Sequence, residues 1–329
     1  MTTKSRIAIL SVGGTIAMTR ASAGQGVTPQ LTAADLLAML PGIEATADLM
    51  PQSVMNVASC ELTFAALVDL ANGIRELAAS GVDGVVLTQG TDTIEESSYF
   101  LDLILDLEIP VVVTGAMRNP SELSPDGPAN LRNAILLASS DEARNRGVLV
   151  VMNDEVHAAR FVAKAHTSKT SAFVSRPFAP LGWISEGQLH LSAKSPRAPS
   201  ISLTQTTNFD IFVPVIPVGL SDQGQLLAAA LMAGCDGLIL EGVGGGHVPV
   251  KVRDMLGSAP EAIPVILTSR TADGCVLQKT YGYPGSEMDL LGRGLLHGGR
   301  LSSLKARILL STLLLSGENR ATIDLSPWS

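Results

Sequence analysis

The sequence predicts an α/β protein: a larger N-terminal domain with a mostly parallel sheet flanked by helices, joined to a smaller C-terminal α/β domain. Three observations carry that expectation. Short runs of branched apolar residues recur along the chain, they alternate with apolar-periodic stretches of helical length, and glycine-threonine turns directly follow two of the runs.

Ile7-Ala8-Ile9-Leu10 is the first apolar run, and its near-continuous branched character is that of a strand buried on both faces of a parallel sheet. Leu31–Leu40 has a helical apolar period and meets a stop signal at Pro41-Gly42. Phe64–Ser80 then reads as a helix, Val82–Leu87 as a strand, Ile94–Leu105 as a helix, Pro110–Thr114 as a strand, Ala129–Ala138 as a helix and Gly147–Met152 as a strand. Strands separated by helices of this length imply βαβ units. The stretch Ala193–Ser200 is polar, carries two prolines and interrupts the pattern. This linker composition places a catalytic domain at 1–192, a connection at 193–209 and the smaller domain at 210–329. In the latter, Phe212–Val218, Gly237–Glu241 and Pro264–Ser269 are expected strands, with helices over Gln223–Ala233 and Val248–Ser258.

Composition excludes several functional classes. Hydrophobic residues make up 46% of the 329 and charged residues 16%, yet no apolar run reaches the ~18–20 residues that span a bilayer. A soluble protein with no membrane partner is expected. A net charge of −8 argues against nucleic acid as a partner. Cys60, Cys235 and Cys275 lack metal-ligand spacing, as do the five histidines, His157 and His166 included, so no metal site is expected. The N-terminal residues run straight into the first strand without an apolar leader, which points to a cytoplasmic protein.

Chemistry concentrates at the strand ends. Gly13-Gly14-Thr15 follows the first strand and Gly90-Thr91-Asp92 follows Val82–Leu87, so in a parallel sheet both turns sit on the ligand-facing rim. Glycine permits a sharp turn and close approach, and threonine supplies a hydroxyl nucleophile or donor. Such a hydroxyl needs a base. Lys164 lies in a mixed apolar stretch where partial desolvation suits it to that role, and Asp92 is a carboxylate able to orient it or to bind a substrate ammonium. Glu95 and Glu96 read as complements to a helix dipole, and Asp126 and Arg118 as parts of a structural turn.

Four blocks in register, Val12–Ala17, Gln89–Ser97, Gly115–Arg118 with Ser124–Leu131, and Val151–Asp154, resemble the bacterial-type L-asparaginase and glutaminase-asparaginase family. The resemblance covers nearly the whole chain, to Lys305-Ala306-Arg307. It implies an amidohydrolase that turns asparagine, with glutamine as a side substrate, into the acid and ammonia without a cofactor. It implies that Thr15 is the nucleophile and that Thr91, Asp92 and Lys164 form a second-threonine triad. Substrate binding would fall to Gly14, Ser59, Cys60, Gly90 and Ala116, with the Ser59 hydroxyl taking the α-carboxylate and the Ala116 carbonyl the side-chain amide. A homotetramer is implied, in which Glu287 is a carboxylate lent to a neighbouring subunit's site.

The chain also departs from that pattern. The family's loop tyrosine has no counterpart in Ser22–Pro29, and Tyr281 and Tyr283 are candidate substitutes. Cys60 stands where the family usually has glutamine, and Gly245-Gly246-His247 replaces an asparagine-bearing segment. Fewer polar contacts to the substrate imply weak discrimination and a high Michaelis constant, or preference for a related amide. A ligand sensor or degenerate amidase on the same fold is the rival reading. A nucleotide-binding module lacks its Gly-x-Gly-x-x-Gly or Gly-Lys-Ser/Thr loop, and an aminoacyl-tRNA amidotransferase subunit is disfavoured by the acidic charge.

Overall fold

Apolar strands that alternate with helices bury their faces by stacking side by side, and the computed structural model shows this in two units, Met1–Arg197 and Ala198–Ser329. The structure describes residues 4–20, 27–192, 194, 197–203 and 208–328. Residues 22–26, where the family tyrosine would fall, and linker residues 193, 195, 196 and 204–207 lie outside the described ones.

The N-terminal unit runs β1 (Arg6–Ser11), a 3-10 turn at Thr15–Ala17, β2 (Met18–Arg20), β3 (Val27–Pro29), α1 (Ala33–Ala38), β4 (Asp48–Ser53), α2 (Phe64–Ala79), β5 (Gly84–Thr88) and α3 (Ile94–Ile104). It continues with β6 (Val111–Thr114), α4 (Gly127–Ala138), β7 (Val148–Met152), β8 (Glu155–Ala158), β9 (Val162–Lys164), β10 (Phe173–Ser175), β11 (Gly182–Ser185) and β12 (Gln188–Leu191). The main sheet has eight strands in the order β12-β11-β8-β7-β6-β5-β1-β4. Its β4-β1-β5-β6-β7 portion is parallel, and β8, β11 and β12 add antiparallel strands at one edge.

The apolar runs form the strands at the sheet centre because both faces there are covered. Ile7, Ile9, Val86, Val112 and Leu149 pack with Leu131 and Ile135 of α4 in one core. Burying such a side chain stabilises by about 1.5–3 kcal/mol. Helix α1 is shorter than the apolar period suggests, because Thr32 and Asp35 close a capping box that starts it at Ala33. The short hairpin β9–β10 and the antiparallel edge strands, each of three or four residues, have no counterpart in the sequence expectation.

The C-terminal unit runs β13 (Val215–Pro217), α5 (Gln225–Met232), β14 (Leu238–Gly242), α6 (Val250–Met255), α7 (Ala259–Ala262), β15 (Val265–Ser269), α8 (Glu287–Gly292), β16 (Leu296–His297) and α9 (Ser303–Leu315). Its four strands are parallel in the order β13-β14-β15-β16, around a core containing Leu227, Leu238, Leu240, Val265 and Leu267. Helix α9, capped by Ser302, buries Ile308, Leu309, Leu310 and Leu313.

Candidate active site

Parallel pairing brings several strand ends to one rim. Ser11 of β1 is in register with Thr88 of β5, and Thr88 with Thr114 of β6. The backbone continues the alignment past the strands, with Val12 N–H donating to the Thr88 carbonyl at 2.9 Å, Gln89 N–H to Thr114 at 3.0 Å and Val57 N–H to Val12 at 3.0 Å. Three turns, 13–15, 57–59 and 89–93, therefore meet at the carboxyl ends of the strands. This is where an open α/β sheet places its ligand crevice.

Two glycines make the meeting close. Gly14 has φ 87° and ψ 178°, and a Cβ on it would overlap the Gly90 backbone nitrogen and Cα. A Cβ on Gly90 would in turn lie 2.8 Å from the Ser59 hydroxyl oxygen. Thr15 and Thr91 each follow one of these touching glycines, so backbone contact holds the two threonine turns side by side. Thr91 is 5% exposed and Ser59 4% exposed, while Thr15 is half-buried, so each hydroxyl sits at or beneath the rim. Cys60 is exposed on the same 3-10 turn as Ser59.

The turn at Thr91–Thr93 leads directly into α3, and its side chains are committed in different directions. Thr93 Oγ1 donates to the Ser59 carbonyl at 2.9 Å, which fixes the Ser59 turn. Gln89, fully buried, accepts from Ser97 Oγ at 2.9 Å and donates to the Gly90 carbonyl at 3.3 Å. Thr91 and Asp92 face Lys164. Lys164 Nζ donates to Thr91 Oγ1 at 2.9 Å and to Asp92 Oδ1 at 2.5 Å. The Lys164 side chain is 15% exposed and that of Asp92 74% exposed, so the pair is half screened and its worth lies in geometry more than in stability.

Lys164 ends β9. Hairpin β9–β10 is held at Ser175, whose hydroxyl lies 2.9 Å from His157 Nδ1 on β8. Burial pushes the His157 pKa down to about 4, so this ring is a neutral core peg. Glu95 is the residue that sequence reasoning undervalued. Besides standing in the first turn of α3, its carboxylate accepts the Lys164 backbone N–H at 2.5 Å, and the residue is only 8% exposed. Its sequence signal, an acid one turn past a threonine-aspartate pair, is indistinguishable from an ordinary dipole partner.

Ala116 is fully buried just beyond β6. The turn after it is braced by Asp126, which accepts the N–H groups of Met117 at 3.0 Å and Arg118 at 2.8 Å and the Asn130 amide at 3.1 Å. Asp126 and the Arg118 backbone are thus parts of a structural turn. A depression near this turn is walled by Arg118 and apolar groups such as Ile16, Leu36, Met39 and Leu131, and Thr15, Ser59, Thr91, Asp92 and Lys164 do not line it. Among the described residues no three His, Cys, Asp or Glu side chains are grouped to hold a metal ion.

Glu287 is held within its own unit. It is fully buried in the C-terminal unit, where one carboxylate oxygen accepts the N–H groups of Thr280 at 2.9 Å and Tyr281 at 2.7 Å. The other oxygen lies 3.1 Å from His247 Nε2, and Tyr283 Oη is 3.0 Å from His247 Nδ1. Burial pushes this carboxyl up, but the bonds from Tyr281, Thr280, its own N–H and His247 outweigh it and hold the group below the usual carboxylate range. Glu287 is an internal strut for the 280–283 loop.

Comparison with known proteins shows the family. Residues 6–197 match the family description "Asparaginase, N-terminal" and residues 213–324 match "Glutaminase/Asparaginase C-terminal domain". A probable L-asparaginase of Deinococcus radiodurans is 36% identical over 322 residues, covering 97% of this chain and 95% of its own. L-asparaginase 2 of Escherichia coli K12 is 35% identical over 318 residues, covering 94% and 88%. The crystal structure of a probable cytoplasmic L-asparaginase from Campylobacter jejuni superposes with a TM-score of 0.83 at 33% identity, over 94% of this chain and 95% of that one. With both family regions matched in order and relatives aligned over nearly their full length, the chain belongs to the asparaginase family.

Proposed function

We propose that the protein hydrolyses L-asparagine to L-aspartate and ammonia through an acyl-enzyme on Thr15. The observation that carries this reading is Lys164 Nζ within 2.9 Å of Thr91 Oγ1 and 2.5 Å of Asp92 Oδ1, on a rim where Gly14 and Gly90 press the Thr15 turn against the Thr91 turn. The names of its relatives support the substrate.

In the first half-reaction the Thr15 hydroxyl oxygen attacks the side-chain amide carbon, and backbone N–H groups at the glycine turns meet the developing oxyanion. The C–N bond breaks and the NH2 group leaves with the hydroxyl's proton as ammonia. In the second, water attacks the ester while its proton passes through the Thr91 hydroxyl to the Lys164 amine, and that proton returns to the Thr15 oxygen as the ester C–O bond breaks. Asp92 offsets the charge that Lys164 gains. Both halves balance with water alone, so the reaction calls for no cofactor. The Ser59 hydroxyl serves the substrate α-carboxylate and Asp92 its ammonium, with Gly14, Gly90, Cys60 and Ala116 shaping the remaining wall.

Glutamine is the side substrate of this reading, and a homotetramer in the cytoplasm its assembly and place. Light scattering then gives four chain masses, whereas one chain mass with full turnover removes the shared-site arrangement. The functional test is ammonia release from L-asparagine, L-glutamine and D-asparagine by wild type beside Thr15→Ala and Thr91→Val. Release from L-asparagine that either change abolishes supports the reading. Cys60 in place of a second polar contact favours one alternative, a related amide or a sensed ligand, and no release from any of the three amides moves the protein there.

A further inference from the structure

Lys164 has the central role in the proposed chemistry and a poor local support. It ends a three-residue strand whose pairing is with β10 in a two-stranded sheet outside the eight-stranded one. Isolated two-stranded hairpins are marginally stable, so contacts beyond the hairpin, such as Ser175 to His157 on the β10 side, must help to fix the lysine backbone.

We infer that Glu95 is the positioning residue for the Lys164 amine, an inference that rests on the threonine-lysine reading above. The Glu95 carboxylate takes the Lys164 backbone N–H at 2.5 Å, while Lys164 Nζ reaches Thr91 at 2.9 Å and Asp92 at 2.5 Å. Both ends of Lys164 are therefore tied to one stretch of chain, Thr91 to Glu95, which winds from a 3-10 turn into the first turn of α3. A bond from a buried carboxylate to an N–H is charge-assisted and directional, and it sets the height of the lysine Cα above the threonine hydroxyl. Without it the flexible side chain keeps its charge but loses its aim. A misplacement of about 1 Å at a reacting group costs up to about 100-fold in rate.

Three variants separate this role from that of a simple partner to the α3 dipole. Glu95→Asp keeps a negative charge in the first turn but draws the oxygen back by one methylene. Glu95→Gln removes the charge and keeps an oxygen that can accept the same N–H. Lys164→Met tests the underlying reading. With ammonia release from L-asparagine as the assay and circular dichroism confirming the fold of each variant, Glu95→Asp is expected to lower kcat about 10–100-fold with KM within about twofold. Glu95→Gln is expected to stay within about threefold of wild type, because the accepted bond survives. Full turnover in Glu95→Asp, or a larger loss in Glu95→Gln than in Glu95→Asp, overturns the positioning role while an inactive Lys164→Met leaves the functional reading standing. Wild-type turnover in Lys164→Met overturns both.

Discussion

Gly14→Ala separates backbone strain from the contact that joins the two threonine turns. Gly14 lies at φ 87° and ψ 178°, a region open essentially to glycine, where another residue costs about 1–3 kcal/mol. The added methyl would also overlap the Gly90 nitrogen and Cα, backbone atoms that move only if the turns part, and such overpacking costs about 1–3 kcal/mol more. The sum is roughly 2–6 kcal/mol. Gly42 supplies the control, with φ 81° and no atom within 4 Å of its built Cβ, so Gly42→Ala meets only the left-handed strain of about 1–2 kcal/mol. Urea unfolding followed by circular dichroism gives the two losses, and ammonia release from L-asparagine gives the consequence for chemistry. Gly14→Ala is expected to be the less stable variant and to lose about 100-fold or more in turnover as the Thr15 hydroxyl shifts, with Gly42→Ala keeping its turnover. A Gly14→Ala protein as stable and as active as Gly42→Ala refutes the reasoning.

Other expectations concern the supports around the site. His157 is held at about 4 when folded against 6.5 when unfolded, so as pH falls the unfolded chain takes the proton first. Its contribution, on the order of 3 kcal/mol, is complete above pH 6.5 and is lost between there and pH 4. His157→Phe flattens the fall in unfolding free energy between pH 7 and pH 4.5, and parallel curves contradict the assignment. Glu287→Ala strands two backbone N–H groups and the His247 ring, a loss of about 3–5 kcal/mol at pH 7 by denaturant titration. Because the folded carboxyl is depressed, the part of that stabilisation owed to its ionisation is present above pH 4.5 and is lost as pH falls through the folded value. Tyr283→Phe removes the hydroxyl bonded to His247 and is expected to slow turnover several-fold with under about 1 kcal/mol lost, while Tyr281→Phe leaves turnover alone. Unchanged turnover in both excludes these tyrosines as substitutes for a loop tyrosine.

Periodic and punctuated features were the ones legible in the sequence. The apolar stretches Ile7–Leu10 and Gly84–Leu87 lie in β1 and β5 because burial on both faces leaves no polar position in them, and the glycine-threonine turns follow at the rim. Asp126 reads as a turn residue and is one. Strands of three residues such as β9 are too short to show a period, so the surroundings of Lys164 stayed hidden until the hairpin was seen against α3. Helix α9 escaped because it is apolar on nearly every side and has no stripe to mark its face. The roles of Glu95 and Glu287 depend on which distant N–H groups their carboxylates reach, 69 residues away for Glu95. Local sequence does not encode that.

The central claim, a covalent intermediate on a threonine, is tested most directly by acid-quenching the enzyme during turnover of L-asparagine and mapping the adduct by peptide mass spectrometry. The account predicts an aspartyl ester on the peptide carrying Thr15, enriched in Lys164→Met, where water attack is slowed, and missing from Thr15→Ala. Turnover with no adduct in either protein, together with an active Thr15→Ala, contradicts it.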